Sequence, residues 1–190
     1  MSYFKRDKRA YILLSDGTVY EGYNFGCEGT TIGEIVFTTG MTGYQEVLTD
    51  PSYYGQIVLQ TYPLIGNYGV NNDDMESEKS WVNGYIVKEW CEEPSNFRTT
   101  ATINDFLVKQ GKIGIWDIDT RALTRKIREF GTMNGAITTE DVYEKKEELL
   151  EQIRSYKVVN PVQVVTQKKK GWFYTRENRA NHVALMDYGY

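Results

Sequence analysis

The chain has 190 residues, with 22 basic and 26 acidic side chains and a net charge of −4. That length suits one globular domain, or one domain plus part of a second. No apolar run approaches the ~18 residues that a membrane-spanning helix needs. The opening MSYFKRDKRA lacks the apolar segment of a signal peptide, so the chain is expected to be cytoplasmic, with no membrane partner. The acidic balance argues against a nucleic-acid partner. The single basic run, Lys168 to Lys170 before Gly171, reads as a solvated turn. Two cysteines, Cys27 and Cys91, are too few for a disulfide scaffold and are expected to be free thiols. With one histidine, His182, any mechanism needing two imidazoles is disfavoured.

Taken in order, the first half punctuates as β-structure. Tyr11–Leu14, the turn Ser15-Asp16-Gly17 and the alternating run TVYEGYNFG predict a hairpin. Further strands are expected at Glu34–Thr39, Gln56–Pro63 and Asn83–Trp90, each rich in β-branched and aromatic residues and bounded by turn formers. Between them lie GMTGYQEVLTDPSYYG and LIGNYGVNNDD, glycine-rich and long for turns, and therefore the loops in which binding is expected.

Helices come later. TINDFLVKQG opens with a capping-box pair, Thr102 and Asp105, and stops at Gly111. Ile113–Ile118 reads as a buried strand. Asp119 caps the next helix, whose apolar face is Leu123, Ile127 and Phe130, whose other face carries Arg121, Arg125 and Arg128, and which Gly131 ends. After a strand at Gly135–Thr138, a third helix is expected over Asp141–Tyr156, closed by Asn160-Pro161. Beyond Pro161 the composition shifts to a linker, the aromatic cluster Trp172-Phe173-Tyr174 and a lone strand, Val183–Met186. A buried strand needs neighbours, so a chain that ends four residues after it reads as cut inside a second domain.

The templates for phosphate cradles, zinc hydrolysis and serine hydrolysis are absent. The acidic run Asn71–Glu78 lacks the glycine and distal glutamate of a calcium loop and reads as a solvated face. Cys27 in FGCEG is half of a nucleophile elbow. Phe25 replaces the first glycine, a β-like run follows, and no histidine is near, so a packed thiol is the better reading, as it is for Cys91. In TDPSYYG, Asp50 before Pro51 is driven to extended geometry, and the Ser52 hydroxyl and backbone can face outward, which suits a carboxylate ligand. The alternative, a turn serine bonded to its own backbone, is the reading the residues alone favour. The arginine face and Arg98 suit a partner's carboxylates, against a plain solvated surface. The 15 tyrosines offer amphipathic contacts at an interface or in half-buried strands. This reading ends at a β-rich α/β domain with binding loops.

Four long motifs carry a resemblance. GEIVFTTGMTGYQEVLTDPSYYGQIV (Gly33–Val58), TYPLIGNYGVN (Thr61–Asn71), SNFR (Ser95–Arg98) and DIDTRALTRKIREFGTMNG (Asp117–Gly135) follow one another in the order found in the small, glutamine-hydrolysing subunit of carbamoyl-phosphate synthetase. The chain closely resembles that family from Ala10 to near its end, with modest departures such as Gly40, where a serine is common.

The resemblance implies a swivelling β/β/α domain over residues 1–158, a linker over 159–181 and the opening of a class I glutamine amidotransferase domain at 182–190, truncated at its first strand. It implies that the catalytic Cys, His and Glu lie outside this chain. Cys27, Cys91 and His182 match none of them, and the fragment should not hydrolyse glutamine alone. The implied whole enzyme is the glutamine-hydrolysing carbamoyl-phosphate synthase of arginine and pyrimidine synthesis. Its partners are the large subunit and L-glutamine. ATP and magnesium act in the large subunit, and this fragment needs no cofactor. One residue carries over: Ser52 corresponds to the serine that contacts bound glutamine across the domain interface. The rival is a stand-alone, non-catalytic interaction domain of the same fold.

Overall fold

The computed structural model describes residues 8–168 and 183–186. The chain forms two compact units, Met1–Val158 and Val159–Tyr190. In the first, β1 (Arg9–Leu14) and β2 (Val19–Gly26) form the expected hairpin. The Gly17 N–H donates to the Leu14 carbonyl and Asp16 Oδ1 accepts from the Thr18 N–H. β3 (Thr30–Thr38) and β4 (Gln56–Gln60) are parallel, joined by a crossover containing a short helix, α1 (Tyr44–Thr49), and a single 3-10 turn, Pro51–Tyr53. The run 83–90 forms two short strands rather than one. β5 (Leu64–Ile65) pairs with the second of them, β7 (Glu89–Trp90), while the first, β6 (Gly84–Ile86), joins the main sheet. Then come α2 (Ile103–Lys109), β8 (Ile113–Trp116), α3 (Thr120–Phe130), β9 (Met133–Thr138) and α4 (Lys146–Ser155).

Seven strands close into a barrel in the order β1-β2-β8-β6-β4-β3-β9. The run β8-β6-β4-β3 is parallel and the remaining pairs are antiparallel, which makes a mixed, strand-rich α/β fold. Closure removes exposed sheet edges.

Neighbouring residues of one strand serve different cores because side chains alternate across a sheet. Ile12, Leu14, Ile57, Leu59, Ile113, Ile115 and Ile137 fill the barrel interior. Val58, Tyr85 and Trp116 point outward into a second cluster covered by α1 and α2, and Leu13 and Ala136 into a third beneath α4. This double coverage explains why β8 is buried at every position.

α3 lies across the end at which the parallel strands finish. Its Leu123 and Ile127 join the barrel core, and Asp119 Oδ1 accepts from the Ala122 N–H. Lys126 ties the helix to the β1–β2 turn through Asp16, at 2.7 Å, and Thr18. Phe130, expected on the apolar face, is 68% exposed, because the helix ends there and Gly131 turns the chain away. The α2 capping box forms as expected, with the Asp105 N–H donating to Thr102 Oγ1 and the Thr102 N–H donating to Asp105 Oδ2. The expected helix over 141–156 begins only at Lys146. Before it, Val142 is buried and the Asp141 carboxylate accepts the Tyr143 N–H, which holds turns instead.

In the second unit, α5 (Pro161–Val165) forms where a linker was expected, with Pro161 at its first position. Residues 183–186 form no strand, and Val183 and Leu185 are almost fully exposed, in keeping with the partners a strand requires. His182, Lys169, Lys170 and the cluster Trp172-Phe173-Tyr174 lie outside the described residues.

Candidate functional site

The two glycine-rich loops singled out in the sequence are built into one another around α1. This helix has no side-chain cap, and Gly43 precedes it in left-handed geometry, φ 79°. Tertiary contacts hold it instead. Tyr44 stacks on Tyr68, with ring centroids 4.3 Å apart, and its hydroxyl donates to the Gly69 carbonyl, while the Gly43 N–H donates to the Tyr68 hydroxyl. Burial pushes both tyrosines above their ordinary pKa, so both stay neutral, Tyr44 as a donor and Tyr68 as an acceptor. Gln45, fully buried, treats Asn71 as a strand neighbour would. Its Oε1 accepts the Asn71 N–H at 2.9 Å and its Nε2 donates to the Asn71 carbonyl. Gln45→Leu should therefore leave two buried backbone groups unpaired and cost about 2–3 kcal/mol, read by urea unfolding.

The acidic run 71–78 straps α1 through its backbone and Ser77, while Asp73, Glu76 and Glu78 stay exposed, as expected of a solvated face. The Thr49 hydroxyl accepts the Glu76 N–H, the Ser77 hydroxyl donates to the Thr49 carbonyl, and Trp81 Nε1 donates to Ser77 Oγ. Arg98, expected to serve a partner, is engaged within the chain. Its guanidinium donates to Asp74 at 2.7 Å, to Asn71 Oδ1 at 3.3 Å and to Asp73 at 3.5 Å.

Hydrogen bonds from the Asn71 side chain and from Arg98 hold the Asp74 carboxyl below its ordinary pKa. A depressed carboxylate stabilises the fold fully above its unfolded value, ~3.9, and loses that contribution as pH falls below it. The strap should thus loosen below about pH 4, ahead of the barrel. Amide hydrogen exchange at Asp73, Asp74 and Glu76 should rise there while exchange in β4 stays slow; equal protection of both regions would refute this.

Ser52 sits at the far end of the crossover from Gly43, on the 3-10 turn that precedes β4. Asp50 Oδ1 accepts the Ser52 N–H at 2.8 Å and so closes the turn. The serine hydroxyl does not close it. Ser52 is exposed, and among the described residues none takes or gives a hydrogen bond at its Oγ. Three residues on, Gly55 has φ 80° and is covered by Val158 and Tyr156. The Tyr156 hydroxyl donates to the Gly55 carbonyl at 2.7 Å and accepts from Asn83 Nδ2 at 3.1 Å. Asn134 Nδ2 donates to the carbonyls of Ile153 and Tyr156, fixing the end of α4. The Ser52 turn is therefore clamped to the segment by which the chain leaves the barrel. Tyr156 gave no such signal in sequence, where it reads as the last turn of a helix.

The Gly40 carbonyl accepts from Gln60 Nε2 at 2.6 Å, and Gln60 Oε1 takes the hydroxyl of buried Tyr85, which fixes the root of the 39–43 loop. Met41, at its tip, is 69% exposed. Both cysteines are free and half-buried, bonded to backbone carbonyls: Cys27 to Val108 and Cys91 to Glu93. Among the described residues no cluster of three or more His, Cys, Asp or Glu could hold a metal ion, and no helix is long and apolar enough to cross a membrane.

The family described as carbamoyl-phosphate synthase small chain, CPSase domain, matches residues 12–137. A carbamoyl phosphate synthase small chain from Nostoc sp. is 58% identical over 146 residues, which is 77% of this chain and 37% of that protein. Those from Fusobacterium nucleatum and Bacillus thuringiensis are 47% and 48% identical over 178 residues, 94% of this chain and 49% and 47% of theirs. The chain thus spans half or less of the length of these relatives. Among solved structures, an aminopeptidase from Aneurinibacillus sp. strain AM-1 matches at 14% identity and a TM-score of 0.41, covering 68% of this chain and 30% of that one, too distant to bear on function. The family match and the relatives place the chain in the carbamoyl phosphate synthase small chain family.

Proposed function

We propose that this chain is the amino-terminal, swivelling domain of a small chain whose remaining half is a glutamine amidotransferase, and that it docks that half and completes the glutamine site. The observation that carries the reading is the turn at Ser52: an exposed hydroxyl on an Asp50-closed turn, clamped through Gly55 and Tyr156 to the point where the chain leaves the barrel. On this reading, glutamine held by the remaining half presents its carboxylate to the Ser52 hydroxyl, a charge-assisted bond.

In the complete small chain, a cysteine thiolate from the other half attacks the side-chain amide of glutamine, a histidine moves the protons, and the resulting thioester is hydrolysed after ammonia departs. Ammonia passes to the large chain, which combines it with bicarbonate and ATP to give carbamoyl phosphate. An enclosed route matters because ammonium, the form that dominates in neutral water, is no nucleophile. On this reading the present chain by itself has no glutaminase activity, and magnesium and ATP act only in the large chain. The experiment is Ser52→Ala in the full-length small chain, assayed with its large chain for glutamine-dependent and ammonia-dependent synthesis.

A further inference from the structure

The supports of the Ser52 turn differ in origin. Some are local: Asp50 Oδ1 accepts the Ser52 N–H at 2.8 Å, and the Tyr53 and Tyr54 N–H groups donate to the carbonyls of Asp50 and Pro51. Another comes from 101 positions along the chain, where the Tyr156 hydroxyl donates at 2.7 Å to the carbonyl of Gly55, the last residue before β4. Asp50 fixes the shape of the turn, and Tyr156 fixes its far end against the barrel. Ser52 is exposed and anchored through its backbone, so the place of its hydroxyl is set by how firmly the turn is held.

The bond from Tyr156 has a fixed direction. Asn83 Nδ2 donates one proton to the Ile32 carbonyl at 2.8 Å and the other to the Tyr156 hydroxyl at 3.1 Å, so the phenol accepts from Asn83 and gives its own proton to Gly55. Burial raises the pKa of Tyr156, and the proton stays on the oxygen. The backbone that carries the ring is held as well, by Asn134 Nδ2 on β9, which donates to the Ile153 and Tyr156 carbonyls. Gly55 is seated directly on this segment. At φ 80° it takes left-handed geometry, and a Cβ there would lie 2.9 Å from Val158 Cγ2 and 3.0 Å from the Tyr156 oxygen.

We propose that Tyr156 is a positioning residue for glutamine: its hydroxyl, acting through Ser52 rather than on the substrate, holds the turn in the place from which the serine meets the glutamine carboxylate. The proposal rests on the Ser52 reading above and adds the group through which the serine is aimed. The hydrogen bond of the phenol does this, not its bulk, so phenylalanine is the decisive substitution.

The test uses the full-length small chain with its large chain and compares the parent, Tyr156→Phe, Ser52→Ala and the double variant. Tyr156→Phe keeps the ring over Gly55 and removes one neutral hydrogen bond, so the Michaelis constant for glutamine should rise about 3–10-fold while kcat at saturating glutamine holds. In the Ser52→Ala background it should rise no further, since a residue that acts through Ser52 has nothing left to position. The control Tyr143→Phe, which removes the hydroxyl bond to Glu21, should leave the Michaelis constant unchanged. Hydrogen exchange at the Tyr53 and Tyr54 amides should quicken in Tyr156→Phe while Ile57 to Leu59 on β4 stay slow, and unchanged exchange at the turn overturns the proposal even where the variant assembles poorly. If Ser52→Ala leaves the Michaelis constant unchanged, the Ser52 reading falls and this proposal with it. If Ser52→Ala raises it and Tyr156→Phe does not, the reading stands and the positioning role is refuted. Equal effects of Tyr156→Phe in both backgrounds also refute it, because the phenol then acts elsewhere.

Discussion

Replacing Ser52 with alanine in the full-length small chain should raise the Michaelis constant for glutamine by roughly 10–100-fold, the equivalent of losing a hydrogen bond to a charged group worth about 1.5–3 kcal/mol. The fold should be unaffected. The bond that closes the turn runs from the Ser52 backbone N–H to Asp50 Oδ1 and survives the substitution, and the hydroxyl is exposed. Synthesis from added ammonia, which bypasses the glutamine site, should proceed at the parental rate. An unchanged Michaelis constant removes Ser52 from the site. A fall in both activities would mean instead that the variant disturbs the assembly. Threonine at this position keeps the hydroxyl and should recover much of the loss.

The second large effect concerns the barrel itself. Gly22 on β2 pairs with Ala10, and Ala10 faces the interior cluster that Ile118 enters on the way to α3. A methyl group on Gly22 would overlap the Trp116 carbonyl oxygen and come within 2.9 Å of Ile118 Cδ1 and 3.2 Å of Ile115 Cγ1. The first of these is backbone and cannot swing aside. β2 and β8 cannot part either, because the Asn24 side chain bridges them by donating to the Gly114 carbonyl. Gly22→Ala should therefore cost about 3 kcal/mol, the upper part of the overpacking range, and lower the melting temperature by about 10 °C. Gly40→Ala is the matched comparison. Its methyl would meet the Thr42 carbonyl oxygen at 3.3 Å and Thr38 Oγ1 at an ordinary 3.8 Å, in an exposed loop, and it should change stability little. Equal melting of the two variants would refute the packing argument.

The two positions illustrate different kinds of constraint. Ser52 lies in a motif that stands out in sequence because Asp-Pro-Ser restricts its own backbone. Gly22 sits in TVYEGYNFG, which reads as an ordinary strand; nothing local distinguishes its glycine, and the demand for a missing side chain comes from Trp116, 94 positions along the chain.

The same division runs through the fold and the site. The sequence by itself determined the features governed by neighbours along the chain: the β1–β2 hairpin from its Asp16-Gly17 turn, the α2 capping box, α3 from Asp119 to Gly131, and the burial of β8. Its four long motifs also determined the family. What only the tertiary structure decided are the features held by distant partners. α1 reads as loop in sequence because Gly43 supplies no cap and the helix depends on Tyr68 and Asn71. Arg98 reads in sequence as an interface residue or a solvated one because its acceptor, Asp74, lies 24 positions away. Tyr156 became the clamp on the Ser52 turn only once α4 returned to Gly55. The barrel order, with β8 between β2 and β6, was likewise hidden, since strand pairing depends on which apolar faces can close on one another, and periodicity along a strand reports its faces but not its neighbours.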